Sequence, residues 1–208
     1  PIAARILRPH GAMRDHKRIL YNGNNYSEEW IKEAESRGLA HLPTTVDAMH
    51  CFISEKNISL FTRWGIYTER EMRSRYDISL ENYAKLIRIE ASTMLSMAQR
   101  SILPAVIGYE SKIAEAVSAK DRLGVPNDAE YALLKGLSAG VNALHKRIGG
   151  LFDAIAAMPK GNGEAAEYCR DKLLPAMGFR REAADALETI TAKEYWPFPG
   201  YEDLLFNL

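Results

Sequence analysis

Residues Thr68 to Asp121 read TEREMRSRYDISLENYAKLIRIEASTMLSMAQRSILPAVIGYESKIAEAVSAKD, and this stretch decides the fold. Apolar side chains recur at Met72, Tyr76, Leu80, Tyr83, Ile87, Ala91, Met94, Ala98 and Ile102. The steps are three or four residues, which places all of them on one face of a helix. After Pro104 the row resumes at Val106, Tyr109, Ile113 and Ala116. Glu71, Arg73, Arg75, Glu81, Lys85, Arg88 and Arg100 fall mostly off it. Thr68 followed by Glu71 has the spacing of a capping box. Gly124 followed by Pro126 is a stop signal. At ~1.5 Å per residue the rod would be about 80 Å long. It cannot bury its stripe alone, so another part of the chain or a partner must cover it.

Working outward, Gly124–Asp128 reads as a tight connection that also caps the next helix. That helix carries Leu134, Leu137, Val141, Leu144, Ile148, Leu151, Ile155 and Met158 on one row. Pro159–Gly163 is a second turn cluster, and a third helix follows with Cys169, Leu173, Ala176, Ala183, Leu187 and Ile190 on one face. Three amphipathic segments with short joins predict an all-α fold, an antiparallel up-down-up bundle built on one very long helix. The tripeptide Leu-Pro-Ala occurs twice inside these patterns, at 103–105 and 174–176. Each proline should kink or restart its helix, and matched kinks on neighbouring helices would keep the bundle packed. The tail, Tyr195-Trp-Pro-Phe-Pro-Gly-Tyr201, is aromatic and extended, and should lay its rings on the bundle or on a neighbour.

Before the long helix the chain reads as short helices and turns without strands. A helix should end near Tyr21, and Asn22–Asn25 is a turn cluster. Ser27 should cap a short helix closed at Gly38. Thr44 or Thr45 should cap another running through Phe52. Ser54 should cap a third, closed by Gly65. The expected domains are residues 1–66 and a helical bundle over 67–208.

The chain has 208 residues, with Lys plus Arg and Asp plus Glu equal at 27 each. This balance argues against a nucleic-acid or membrane-surface binder, which needs excess positive charge. No apolar run approaches the ~20 residues of a membrane span, and no signal peptide is recognisable. Cys51 and Cys169 are expected as free, buried thiols in a reducing cytoplasm.

A search for chemistry yields little. P-loop, GxGxxG, HExxH, GxSxG and CxxC motifs are absent. His10, His16, His41, His50 and His145 are scattered, and Asp47 with His50 is the nearest approach to a ligand pair. Glu81 and Glu90 flank the stripe of the long helix. They could be buried carboxylates, but Glu81 paired to Lys85 on the surface is the preferred reading. The aromatic tail could form a ligand cage, and packing is preferred there too. No catalytic, cofactor-binding or metal residue is assigned.

Specific words carry further. KRILYNGNNYSEEW (17–30), EAESRGL (33–39), LPTT (42–45), SEKN (54–57), SRY (74–76), ENY (81–83), IEA (89–91) and ILPA (102–105) resemble, in order, the C-terminal portion of the type III glutamine synthetases. YWPFP (195–199) with DLLF (203–206) is similar to the end of those chains. The resemblance implies a fragment, an expectation supported by the start at Pro1. It also implies that residues 1–66 are the last elements of a catalytic domain. The parent would join ammonia to glutamate using ATP and a divalent metal (Mg), through a γ-glutamyl phosphate. The motifs that hold those cofactors lie upstream in the family, so the resemblance puts none of them in this segment. The segment alone is expected to be inactive and cytoplasmic. Its implied partners are its own catalytic domain and neighbouring subunits of a homo-oligomer. Leu86, Ile89, Leu95 and Met97 widen the apolar face of the long helix beyond one row, and with the short helices of the first third and Tyr195, Trp196, Phe198 and Tyr201 of the tail they make up the expected contact surface. An independent helical interaction module is the alternative reading.

Overall fold

In a computed structural model of the chain, residues 11–205 are described, with the backbone only at 201 and 202. Every element among the described residues is helical. Two compact units, Pro1–Ala48 and Met49–Leu208, divide inside a short helix.

In the first unit, the helix expected to end near Tyr21 lies partly outside the described residues. Helical residues run from 11 to 15, then a 3-10 turn spans Lys17–Ile19. The turn cluster forms, and Asn24 Oδ1 accepts from the Tyr26 amide at 3.0 Å. Helix α1 (Glu28–Ser36) starts under Ser27, whose hydroxyl accepts from the Trp30 amide at 3.4 Å. Helix α2 (Thr45–Phe52) is capped by Thr44, whose hydroxyl accepts from the Asp47 amide at 3.2 Å.

In the second unit, α3 (Glu55–Arg63) begins after Ser54, which has the extended backbone of a cap but makes no side-chain cap bond. Its hydroxyl donates back to the Cys51 carbonyl at 2.8 Å instead. Local hydroxyl–carbonyl bonds compete with capping in this way. Gly65, at φ 62°, turns the chain into Thr68. The capping box there is complete. The Glu71 amide donates to Thr68 Oγ1 at 3.3 Å, and the Thr68 amide donates to Glu71 Oε2 at 2.7 Å.

The rod is three segments: α4 (Glu69–Met97), a π-helical turn (Ala98–Ile102) and α5 (Leu103–Leu123). Every stripe position from Met72 to Ala116 is buried or half-buried. Gly124, at φ 66°, ends α5, and Pro126 follows. Asn127 flanks α6 (Asp128–Ala156) and accepts from the Tyr131 amide through its backbone carbonyl at 2.9 Å, but makes no side-chain cap bond. Its amide donates backwards, to the Val117 carbonyl and Asp121 Oδ1, and so ties the hairpin to the helix before it. Helix α7 (Asn162–Tyr168), a second π-helical turn (Cys169–Leu173) and α8 (Leu174–Glu188) complete the bundle.

Both Leu-Pro-Ala words follow a π-helical turn. Leu103 and Leu174 donate to the carbonyls five residues back, at Ala98 and Cys169. A proline in a regular helix loses a bond and its ring meets the carbonyl four residues back. Widening the preceding turn removes both problems while the helix continues. The two turns are not side by side. Cys169 Sγ lies 3.9 Å from the Ala84 carbonyl, about four turns of α4 away from Ala98.

Two core clusters share this framework. Ala84, Ile87 and Ala91 of α4 meet Leu151, Ala165 and Cys169. Ala98, Ile102 and Val106 meet Leu137, Leu144, Ile148 and Leu187. Leu95 touches both clusters. The tail packs on its own bundle: Trp196 and Phe198 cover the second cluster, and the Tyr195 and Tyr109 ring centroids are 5.0 Å apart. Helical structure resumes beyond Pro199, in α9 (Tyr201–Leu205), where the Asp203 carboxylate accepts from the Gly200 amide at 2.9 Å.

Cys169 is buried as expected, whereas Cys51 is exposed; both are free. Residues Ala84, Met177 and Ala184 join the core beside the expected rows, and Ile190 is exposed.

Candidate functional site

The side chains singled out for chemistry do not converge. Glu81 and Lys85 form an ion pair at 2.5 Å, one helical turn apart. Glu90 is exposed on α4. Asp47 bonds to Thr44 at the start of α2. His50 Nδ1 stands 3.2 Å from the Tyr76 hydroxyl, and its Nε2 is 3.9 Å from Glu167 Oε1. Burial, then the Glu167 charge, raises the Tyr76 pKa. His16, His41 and His145 are exposed, and His10 lies outside the described residues. Among the described residues no three His, Cys, Asp or Glu side chains are placed to hold a metal ion. No described helix is long and apolar enough to cross a membrane.

The words that carry the resemblance are structural. Arg37 knots the first unit. Its Nη1 donates to the Leu20 carbonyl at 2.7 Å, and its Nε donates to Glu33 Oε1 at 2.7 Å. Its guanidinium lies 5.6 Å from the Trp30 ring, which stacks on Tyr21 at 4.3 Å. In SEKN, Asn57 Nδ2 donates to the Cys51 carbonyl at 2.6 Å and fixes the α2–α3 corner. In ENY, Tyr83 packs on the first core cluster. ILPA is the first π-turn and its proline.

What the bundle leaves open is a surface. Leu86 is 56% exposed, Ile89 63% and Met97 40%, so these three widen the face of α4 without being covered. Leu95, expected with them, turns inward. Leu60 and Trp64 at the end of α3 are also exposed, Trp64 at 69%.

One charged residue was not anticipated. Arg180 is only 6% exposed, and its Nε and Nη2 have no hydrogen-bond partner. Desolvation lowers its pKa, partly opposed by Asp185. The sequence holds a signal for it: Arg180 stands at helical spacing between Met177 and Ala184, inside the apolar row of α8.

Fold and surface together define an all-α bundle domain with an uncovered apolar face and a tail folded back on its own core. The chain belongs to the glutamine synthetase C-terminal domain family, whose model matches residues 7–121, more than half of its length. It is 36% identical over 200 residues to a glutamine synthetase of Butyrivibrio fibrisolvens, covering 93% of this chain and 28% of that protein. It is 34% identical over 200 residues to a type-3 glutamine synthetase of Dictyostelium discoideum, covering 92% and 27%. A glutamine synthetase of Bacteroides fragilis (strain YCH46) is 26% identical over 197 residues, covering 91% and 27%. The chain thus spans little more than a quarter of the length of these curated relatives.

Proposed function

We propose that this chain is the non-catalytic C-terminal helical portion of a type III glutamine synthetase, and that it serves assembly and support. The parent reaction is the ATP-dependent joining of ammonia to glutamate, with Mg as the divalent metal, in the cytoplasm. The observation that carries the reading is the family match combined with the share of the relatives that the chain spans. The described residues do not fit a divalent metal, since no ligand cluster is assembled among them. ATP and metal chemistry therefore belong, in this reading, to the remainder of the parent chain. What this segment contributes is contact. Exposed Leu60 and Trp64 suit a seat for the catalytic domain, and the Leu86–Ile89–Met97 face suits a neighbouring subunit in a homo-oligomer.

The test has two arms. The chain alone should give no γ-glutamyl transfer and no heat with Mg-ATP; turnover would overturn the non-catalytic role. In sedimentation equilibrium the chain should self-associate over a tenfold concentration range, and Leu86→Asp should abolish it. A strict monomer at high micromolar concentration would overturn the assembly role.

A further inference from the structure

Beside the second core cluster lies a groove of about 560 Å³. Its walls include Met94 and Ile102 from the rod, Met177 and Arg180 from α8, and Trp196 and Phe198 from the tail. It is an apolar, aromatic-lined concavity with one buried cation in its wall, the composition of a small-ligand site.

The orphaned atoms of Arg180 are informative. Nε and Nη2 form one edge of the guanidinium, with two parallel N–H bonds, and this edge matches the two oxygens of a carboxylate. The same chain uses that edge elsewhere: Arg170 donates from Nε to Asp171 Oδ1 at 2.7 Å and from Nη2 to Asp171 Oδ2 at 2.9 Å. On Arg180 both atoms are buried and unpartnered. A desolvated charge without a partner is unfavourable unless something supplies one. The other charges around the groove make no hydrogen bond to these two atoms, although the Asp185 charge partly favours the ionised form of Arg180. Arg181 and Asp185 pair with each other at 3.3 Å, and Glu90 and Glu188 are exposed on its rim. These rim carboxylates repel a second negative charge, which disfavours phosphate and dicarboxylates.

We propose that this groove binds a monocarboxylate with a small apolar body, its two oxygens on Nε and Nη2 of Arg180 and its body against Trp196 and Phe198. The groove shares Ile89 and Met97 with the face assigned to a neighbouring subunit, so the test reads ligand binding rather than activity and reads it in a chain whose self-association has been removed.

Isothermal titration of the 208-residue chain uses 3-phenylpropionate, 3-phenylpropionamide, acetate and inorganic phosphate as probes. A Leu86→Asp background removes heat from self-association. Phenylpropionate should bind once per chain with a dissociation constant of about 1 mM or tighter. Acetate, the amide and phosphate should each bind at least about tenfold more weakly. Arg180→Lys keeps the charge but loses the fork, and should weaken phenylpropionate binding at least about tenfold. Arg180→Met should abolish binding while its thermal midpoint stays at or above that of the parent, because an unpaired buried charge is gone. Trp196→Ala provides a second test should Arg180→Met fold poorly, and it should weaken phenylpropionate more than acetate. Absence of phenylpropionate heat would overturn the proposal. So would equal binding of the amide or unchanged binding by Arg180→Lys.

Discussion

Gly140 and Gly149 both lie inside α6, yet the same substitution should act oppositely at the two positions. A methyl group built on Gly140 would stand 2.4 Å from Cδ2 and 3.0 Å from Cγ of Leu187. Leu187 is fully buried in the second core cluster, so it has little room to turn away. A methyl on Gly149 meets nothing within 4 Å. Alanine gains ~1 kcal/mol of helix propensity over glycine at either position. At Gly140 this gain is opposed by overpacking, typically about 1–3 kcal/mol. Gly149→Ala should therefore stabilise by up to ~1 kcal/mol, with Gly140→Ala less stable than it by about 1–3 kcal/mol. Urea titrations followed by circular dichroism measure both, provided the slopes agree. Pairing Gly140→Ala with Leu187→Ala should recover part of the loss as a coupling term. If the two glycine variants stabilise equally, α6 and α8 do not approach closely at Gly140 and the packing argument is wrong.

Leu144→Ala and Ile87→Ala, one in each core cluster, should each cost about 2–5 kcal/mol in the same titration; a loss below ~0.5 kcal/mol for both would show that the stripes are not core. Thr68, through its backbone and side-chain bonds, holds the Glu71 pKa below its ordinary 4.5. A depressed carboxylate stabilises fully above its unfolded pKa and loses that contribution as pH falls through the lower folded value. Thermal midpoints should thus fall less steeply below about pH 4.5 in Glu71→Gln than in the parent, and parallel profiles would contradict this. Cys51 is exposed, while burial raises the Cys169 thiol pKa. Thiol labelling should therefore modify one cysteine in the native protein and the second only on unfolding; native labelling of Cys169→Ser at the parent's one-thiol rate identifies Cys51 as the reactive one.

The sequence by itself determined most of the helices, several of their ends and the greater part of their inward faces. Row spacing, the Thr68–Glu71 box, Gly65 and Gly124 act within one or two turns, so their reading needs no distant partner. Their alternation with tight turns was enough for an antiparallel bundle. Only tertiary structure decided what each helix meets. Prolines 104 and 175 announced an irregularity, but its form, a widened π-turn in a continuing helix, depends on the packing on either side. Ser54 could cap α3 or bond Cys51, and the local corner selected the second. By sequence Leu95 and Leu86 both widen the face of the rod, yet nine residues set them on opposite sides of a helical wheel, and the two core clusters meet at the first and leave the second in water. Arg180 shows the limit most plainly. Its spacing put it in the α8 row, but its two unpartnered nitrogens became visible only once the rod and the aromatic tail closed around it. Periodicity reports which face a residue occupies, whereas satisfaction of a buried charge depends on groups brought together from distant parts of the chain.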